Sequence, residues 1–310
     1  MTFKVDLHVE QFSDYSTAPG NQEALFQTYY NMSKNSSIDF FLSPVACPWG
    51  VALRNYSYYE LGLPLMVASG DSSEAFYQVP GSYGTPTANI LSLTSWLPYL
   101  RVAKAKTVAV LQVNDYVFQS EMCYGVVAQA PLNGLEVVAN DIMPFDWSTL
   151  GEIEGNGDSS TIWTEALDRI IALNPDAIAI CDYGFGSEFA LSYIRSKNWV
   201  PKSILLSTLY LPFKDPSLLA FVTTPSPYSP RAKFPAQQNF TDSAGFDELV
   251  MARYGKHANN IIAQATLAGM IFSEAIWQSS DNTTQAIETS LATSQFSSFM
   301  GTPAFDVHHR

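Results

Sequence analysis

Short apolar runs alternate along the chain with longer segments that have helical spacing of their apolar positions. The alternation is plainest in 174–210, where the apolar run 177–181 is followed by a glycine-containing turn, an amphipathic segment over 187–199 and a second apolar run from Ser203. A run that is apolar on both faces is typical of a buried parallel strand, and an amphipathic segment after it is typical of a crossover helix. This stretch therefore predicts a β-α-β unit.

Runs of the same kind occur earlier in the chain. They predict strands at 38–42, 63–67, 107–111 and 135–139. Because parallel strands are joined by right-handed crossovers, helices are expected on both faces of each sheet. Ligands bind to such sheets outside the carboxyl ends of the strands, so functional side chains are expected just after these runs.

Breaks in the pattern predict two lobes joined by a hinge. A polar break lies at 104–106, and a proline-rich crossing segment lies at 212–235. A chain of 310 residues also exceeds the size at which a single hydrophobic core usually stops growing. We predict an α/β protein with two doubly wound parallel-sheet lobes. The predicted bounds are 1–103 and 232–294 for lobe I, and 104–231 and 295–310 for lobe II.

Charge and composition restrict the partners. The net charge of −13 argues against nucleic acid and anionic membrane surfaces. Hydrophobic residues make up 47% of the chain, as in a folded protein. No apolar run approaches the roughly 18 residues of a membrane helix.

Cysteines and sequons give only mild indications. The three cysteines form neither a CxxC pattern nor a disulfide framework, so Cys47 and Cys123 are interpreted as thiols and Cys181 as a small buried strand residue. Asn-x-Ser/Thr sequons are a mild indication of a secreted eukaryotic chain. They occur at Asn31, Asn35, Asn55, Asn239 and Asn282.

Motifs of catalysis are absent from the sequence. It has no phosphate-binding P-loop, no His-Glu-x-x-His or other metal-spaced cluster, and no Gly-x-Ser-x-Gly elbow after a strand. Gly184 and Gly186 supply half of a dinucleotide fingerprint, but Phe189 stands where the third glycine belongs. We therefore expect no catalytic residue, no metal and no cofactor, and interpret the protein as a non-enzyme.

Several segments match a known family in order along the chain. The segment 38–44 (IDFFLSP) is followed by 62–67 (GLPLMV), by 106–111 (KTVAVL) and by a closing pattern that runs from 246–255 to 301–306. They resemble the type I periplasmic-binding-protein and receptor ligand-binding-region family, which includes branched-chain amino-acid-binding proteins and the ectodomains of natriuretic-peptide and class C receptors. The resemblance implies a Venus-flytrap arrangement, in which two lobes close on a ligand without catalysis.

The resemblance also implies that family elements lie beyond both ends of the chain. The segment 4–10 matches the family's second strand, so the first strand and helix are expected before Met1. The segment 301–310 falls inside the family's last part of lobe II. We therefore expect the chain to be a fragment that lacks the first strand and helix.

In amino-acid-binding members of this family, lobe I binds the ligand with residues that follow two of its strands. The resemblance carries these positions to Trp49, Gly70 and Ser72, with Asp71 between the last two. Backbone NH groups and a hydroxyl at a helix N-terminus suit an anion, whereas Trp49 and the carboxylate of Asp71 do not suit an α-carboxylate. Asp71 is equally consistent with a helix N-cap that Glu74 completes as a capping box.

Lobe II is expected to contribute residues that follow its strand ends. By the same resemblance these residues are Asp115, Tyr116, Tyr183, Phe185 and Tyr210. Rings and a carboxylate together would hold a polar or cationic organic ligand. Tyr116 and Tyr183 are equally consistent with aromatic residues that cap the sheet, and Asp182 is interpreted as a solvated turn residue.

The resemblance thus implies that the chain binds a small polar organic ligand of the amino-acid, amine or amide class, as the ligand-binding domain of a signalling receptor. The first alternative is a solute-binding component of an ABC transporter, and the second is an α/β enzyme of the hydrolase or dehydrogenase type. The expected partners are the ligand, a membrane-embedded receptor or permease, and a second copy bound through lobe I, but no nucleic acid. The expected location is extracellular or periplasmic.

Overall fold

The computed structural model describes most of the chain, and its residues form two compact units. Unit 1 comprises Met1–Ala88 and Ser226–Arg310, and unit 2 comprises Asn89–Pro225. The described residues are 21–35, 38–43, 50–63, 65–67, 82–84, 89–94, 96–114, 118–145, 157–183, 185–207, 215, 217–218, 243–258, 260–281, 283–296 and 298.

The described elements follow one another in the order expected of repeated β-α units. The strands are β1 (Phe41–Ser43), β2 (Leu65–Val67), β3 (Ser82–Gly84), β4 (Thr107–Val113), β5 (Glu136–Met143), β6 (Ala177–Cys181) and β7 (Ser203–Leu206). The α-helices are α1 (Asn21–Ser33), α2 (Gly50–Asn55), α3 (Asn89–Ser92), α4 (Trp96–Val102), α5 (Gln119–Gln129), α6 (Gly157–Leu173), α7 (Phe185–Ser196), α8 (Ser243–Tyr254), α9 (Asn260–Gln278) and α10 (Thr284–Thr293). A π-helical turn over Tyr56–Glu60 extends α2, and a 3-10 turn over Pro131–Asn133 follows α5.

Unit 2 contains a four-stranded parallel sheet in the order β5-β4-β6-β7. In its register Leu111 lies opposite Ile180, and Ile180 lies opposite Leu206. Every residue of β6 and β7 is buried, as expected of strands that helices cover on both faces. The β-α-β unit predicted from 174–210 is therefore confirmed as β6-α7-β7.

The main core of unit 2 lies between one face of this sheet and the helices α6 and α7. Leu111 and Ile180 belong to it, and they pack in one cluster with Leu167 of α6 and Leu191 of α7. All four side chains are at most 1% exposed. Each contributes about 1.5–3 kcal/mol relative to an exposed side chain, so this core holds the β-α units together.

The helix α5 is joined to the opposite face of the sheet by a disulfide between Cys123 and Cys181. The two Cα atoms lie 6.0 Å apart and both side chains are fully buried. Cys181 is the buried strand residue that the pattern predicted, but the interpretation of Cys123 as a thiol is wrong. Because α5 packs on β4 and β6, it brings together two cysteines that 58 residues separate in the chain. Cys47 lies outside the described residues.

The compact units divide the chain at different points from the predicted lobes. Helices α3 and α4, predicted for lobe I, belong to unit 2, where the indole NH of Trp96 donates to Ser203 Oγ at 3.0 Å. Phe296, predicted for lobe II, is fully buried in a core cluster of unit 1 together with Ala268 of α9. In both cases the segment belongs to the unit in which its aromatic side chain, Trp96 or Phe296, is buried. The polar break at 104–106 does not mark the boundary between the units.

Pro98 does not interrupt a helix, contrary to what its position in the sequence indicates. Pro98 is expected to kink or end a helix over 86–103. In the structure that stretch contains two helices, α3 and α4, and Pro98 lies in the first turn of α4. A proline is tolerated there, because the NH groups of a first turn have no acceptor within the helix.

Unit 1 contains a three-stranded parallel sheet in the order β1-β2-β3. The strands predicted at 38–42 and 63–67 are confirmed as β1 and β2, each shortened to three residues. The strongly apolar segment 260–278 forms helix α9. The segments 4–10 and 301–306 lie outside the described residues.

Asp176 joins the starts of three strands of the unit 2 sheet. Its carboxylate accepts hydrogen bonds from the backbone NH groups of Lys106 at 2.6 Å and Thr107 at 3.3 Å, and it forms an ion pair with Lys202 Nζ at 2.7 Å. The hydrogen bond from Lys202 and the two from the backbone lower the pKa of the Asp176 carboxyl below its usual range. The residues just before β4, β6 and β7 are thereby connected by charge-assisted hydrogen bonds.

Replacing Asp176 by asparagine is expected to lower the free energy of unfolding at pH 7 by roughly 2 kcal/mol, because bonds to a charged acceptor are lost. The pKa is lower in the folded state, so the stabilisation is present above the unfolded pKa of about 4 and is lost as the pH falls through the folded value. Urea unfolding at pH 7 and in the acid range should therefore show a smaller acid-induced loss in Asp176→Asn than in the wild type. The exposed Asp39→Asn is the control, and equal losses in all three proteins would contradict this account.

Candidate functional site

The carboxyl ends of β5, β4 and β6 lie side by side at one edge of the unit 2 sheet, because these strands are parallel neighbours. The segment after each strand supplies one ring to an aromatic cluster, made of Phe118 after β4, Phe145 after β5 and Tyr183 after β6. The ring centroid of Tyr183 lies 6.2 Å from that of Phe118 and 5.1 Å from that of Phe145. These separations are those of favourable aromatic pairs, so the three rings pack together as one cluster.

Members of the aromatic cluster differ in their exposure. Phe118 is buried, whereas Phe145 and Tyr183 are half-buried and pack on the main core of unit 2. The side of Tyr183 that packs on the core therefore agrees with the interpretation of this residue as an aromatic cap on the sheet. Its accessible side is the part that a ligand at the strand ends would contact.

A buried polar network lies at the same strand ends. Asp182 is 1% exposed, its carboxylate accepts a hydrogen bond from Ser187 NH at 2.9 Å, and its own NH donates to Ser207 Oγ at 3.2 Å. The Ser207 hydroxyl in turn donates to Gln119 Oε1. The interpretation of Asp182 as a solvated turn residue is wrong, because the first NH groups of α7 need an acceptor and the carboxylate turns inward to supply one.

The disulfide positions the elements that carry these residues. Cys181 directly precedes Asp182 and Tyr183, and Cys123 lies on α5, which begins at Gln119. The start of α5 is thus held covalently against the end of β6. The two elements cannot separate while the disulfide is intact, and the aromatic cluster is built on both of them.

Most of the predicted site residues lie outside this edge as the structure describes it. Tyr183 is in the aromatic cluster, and Phe185 begins α7 between Asp182 and Ser187 of the polar network. The other predicted residues lie outside the described residues and stay predictions: Trp49, Gly70, Asp71, Ser72, Asp115, Tyr116 and Tyr210.

Phe118, Gln119 and Phe145 also lie at these strand ends, although the sequence did not single them out as site residues. Each follows a strand by a few residues, which is the position expected for functional side chains. Phe145 escaped because its strand was predicted to end at 139, whereas β5 continues to Met143 and places Phe145 two residues beyond the strand end.

The described side chains at the carboxyl ends of β5, β4 and β6 are suited to ligand binding. They include the half-buried rings of Phe145 and Tyr183, which suit the apolar part of an organic molecule. Among the described residues there is no group of three or more His, Cys, Asp or Glu side chains that could hold a metal ion. No described helix is long and apolar enough to cross a membrane.

Comparison with known proteins gives similarity in structure alone. No model of a known protein family matches the sequence, and no curated protein matches it. The solute-binding protein of an ABC transporter from Rhodopseudomonas palustris, in complex with benzoate, is similar over 96% of this chain and 78% of its own, with a TM-score of 0.71 and 16% identity.

Two further structures share this similarity. An ABC-transporter substrate-binding protein from Desulfitobacterium hafniense, in complex with leucine, matches 96% of this chain and 81% of its own, with a TM-score of 0.69 and 14% identity. A leucine-binding protein from Thermotoga maritima matches 93% of this chain and 78% of its own, with a TM-score of 0.65 and 16% identity. At such identities the likeness concerns the fold.

Proposed function

Because this chain has the two-lobed α/β fold of the type I periplasmic binding proteins, as its sequence predicted, we propose that it binds a small organic ligand of the amino-acid, amine or amide class without catalysing a reaction. The observation that carries the proposal is the aromatic cluster at the carboxyl ends of three adjacent parallel strands. In open parallel sheets this is the edge at which ligands bind.

The chemistry of the edge supports binding. The half-buried rings of Tyr183 and Phe145 offer an apolar surface to a carbon skeleton and ring faces to an ammonium group. The Asp182 carboxylate is buried and accepts a hydrogen bond from α7, so its described contact orients the backbone around the site. These groups support binding of a ligand that combines an apolar part with a polar or cationic group.

The Cys123–Cys181 disulfide supports a location outside the cytoplasm. Disulfides persist in oxidising compartments such as the periplasm and the extracellular space. We infer a role as the solute-binding component of a transporter, with a membrane-embedded permease as partner, because several of the similar structures are solute-binding proteins of ABC transporters. A receptor ligand-binding domain is the second candidate, which the sequons favour; Asn31 and Asn35 both lie exposed on or just after α1. Permease genes beside this one would support the transporter, and a downstream membrane helix would support the receptor. The homodimer through lobe I stays a prediction.

We expect a ligand of the proposed class to raise the thermal midpoint of the protein, and the Tyr183→Ala variant to bind that ligand at least about tenfold more weakly. A ligand at a hundred times its Kd adds about 2.7 kcal/mol of stability, which shifts the midpoint by a few degrees. The loss expected in Tyr183→Ala is that of one aromatic contact at the strand ends. The panel contains leucine, benzoate, and simple amines and amides.

Tyr193→Ala is the matched control, because Tyr193 is also a half-buried tyrosine of unit 2 but stacks on Phe189 within α7 and donates to Asp168. Its substitution should leave ligand affinity unchanged. A protein that unfolds cooperatively and shifts with no member of the panel would argue against the proposed ligand class. Equal losses in the two variants would argue against the aromatic cluster as the site.

A further inference from the structure

The edge of the unit 2 sheet opposite to the aromatic cluster carries exposed aliphatic side chains. Val102, Leu132 and Val200 are 81%, 78% and 78% exposed, which makes them the most exposed large hydrophobic residues that the structure describes. They precede β4, β5 and β7 respectively: Val102 is the last residue of α4, Leu132 lies in the 3-10 turn over Pro131–Asn133, and Val200 lies between α7 and β7. The order β5-β4-β6-β7 spreads them over three strand spacings, or about 14 Å. Grouped exposed apolar residues of this kind mark an interaction surface more often than isolated ones do.

Three cations without described ion pairs lie at the same edge. Arg101, Lys104 and Lys106 are exposed, and none of them forms an ion pair with a described residue. The other described cations of unit 2 are each paired with an aspartate: Arg169, Arg195, Lys197 and Lys202. Two acidic residues contact the backbone of Lys106: Glu136, which is exposed at the start of β5, and Asp176, which is engaged with Lys202.

Together the three cations line a groove of about 570 Å³, whose other wall is the segment 131–134 with Leu132. Hydrogen bonds close both walls. Ala105 NH donates to Leu100 O, and Leu135 NH donates to Ala130 O, each at 3.0 Å. Lys104 and Gly134 take the left-handed conformation that ends a helix, with φ of 56° and 73°. Both walls of the groove are therefore hydrogen-bonded helix ends, and its charged groups are the side chains of the three cations.

The helix dipole explains the position of only one of the cations in the groove. Arg101 lies in the last turn of α4, where a cation stabilises the helix dipole. Lys106 directly precedes a strand, so the dipole does not account for it. Nor does the dipole account for aliphatic side chains that are about four-fifths exposed before three separate strands.

We propose that this edge, defined by Arg101, Val102, Lys104, Lys106 and Leu132, is a docking surface for an acidic, aliphatic segment of a partner protein. Charge complementarity selects the occupant, since the groove places three cations beside the exposed side chain of Leu132. A concave groove suits a chain segment better than a flat lipid surface. The net charge of −13 also opposes the approach of the whole protein to an anionic bilayer.

This docking surface is separate from the ligand site. The aromatic cluster follows the carboxyl ends of the strands and the groove precedes their amino ends, so the seven residues of β4 separate the two by roughly 20 Å. A partner segment in the groove leaves the strand ends accessible. The proposal therefore stands or falls independently of the proposed function.

The test uses a short fluorescent peptide of alternating glutamate and leucine, with binding measured by anisotropy at low and high salt. We expect salt-sensitive binding to the wild type, and binding weakened about tenfold or more in the triple variant Arg101→Gln, Lys104→Gln, Lys106→Gln. The triple variant Arg169→Gln, Arg195→Gln, Lys197→Gln removes the same charge from unit 2 and should bind as the wild type does. Leu132→Ser should weaken binding several-fold, whereas Leu249→Ser, at an exposed leucine of unit 1, should not.

Three results would overturn the proposal. The first is no peptide binding to the folded wild type, and the second is an equal loss in the two triple variants, which would trace binding to total charge. The third is binding to phosphatidylserine vesicles that depends on the same three cations, with no binding of the peptide. That outcome would make the edge a lipid surface.

Discussion

Replacing Cys123 and Cys181 together by alanine is expected to lower the free energy of unfolding by about 4 kcal/mol. The disulfide links residues that are 58 apart in sequence, and a cross-link of that length removes conformational entropy from the unfolded chain. In the chain-entropy model a loop of this size stabilises the folded state by about 4 kcal/mol. Urea unfolding followed by tryptophan fluorescence measures the difference, because Trp96 and Trp163 are buried in unit 2.

Reductant supplies the control for this prediction. Dithiothreitol should shift the unfolding of the wild type toward that of Cys123→Ala/Cys181→Ala and leave the double variant where it is. If the wild type kept its stability in reductant while free thiols appeared, the cross-link would not be a source of stability. The same treatment is expected to weaken ligand binding, since the disulfide holds the start of α5 against the strand that precedes Tyr183.

The sheet of unit 2 was predictable because a strand that is buried on both faces has apolar residues at every position. Ala177–Cys181 is apolar at every position, and the structure buries every one of those positions. The crossover helix after it shows helical spacing because one side packs on the sheet and the other meets water. These local patterns were enough to predict the fold, although the sequence is only 14–16% identical to those of proteins with similar structures.

Contacts between distant parts of the chain were not predictable in this way. No spacing rule connects Cys123 with Cys181, and their pairing follows only once α5 is packed over β6. Asp182 looks like a turn residue in sequence, and the need of α7 for an acceptor decides its burial. The aromatic cluster assembles from loops, where hydrophobic periodicity gives no position for Phe118 or Phe145.

Replacing Gly125 by alanine is expected to destabilise unit 2 by about 2 kcal/mol. A Cβ at this position would lie 1.8 Å from the carbonyl oxygen of Ile90 and 2.7 Å from its carbonyl carbon, both backbone atoms of α3. Backbone of a neighbouring helix cannot move aside as the tip of a side chain does, so α3 and α5 must separate. Overpacking of this kind costs about 1–3 kcal/mol and occasionally more, against a gain of up to about 1 kcal/mol in helix propensity.

Gly269→Ala is the matched control, because Gly269 lies in the middle of α9 and a Cβ there meets nothing within 4 Å. The same substitution should stabilise unit 1 by about 0.5–1 kcal/mol, through helix propensity alone. If Gly125→Ala were also stabilising, the close approach of α5 to the Ile90 carbonyl would not exist in solution.

The two large effects should also depend on each other, because Gly125 and Cys123 lie on the same helix. With the disulfide intact, α5 is anchored to Cys181 and can yield to the new methyl group only by straining its packing on β4 and β6. Without the disulfide, α5 can shift away from α3 at less cost. The Gly125→Ala penalty should therefore be smaller in the Cys123→Ala/Cys181→Ala background, with a coupling energy of about 1 kcal/mol in a double-mutant cycle. Strict additivity would mean that the disulfide constrains only the unfolded chain and does not fix the position of α5.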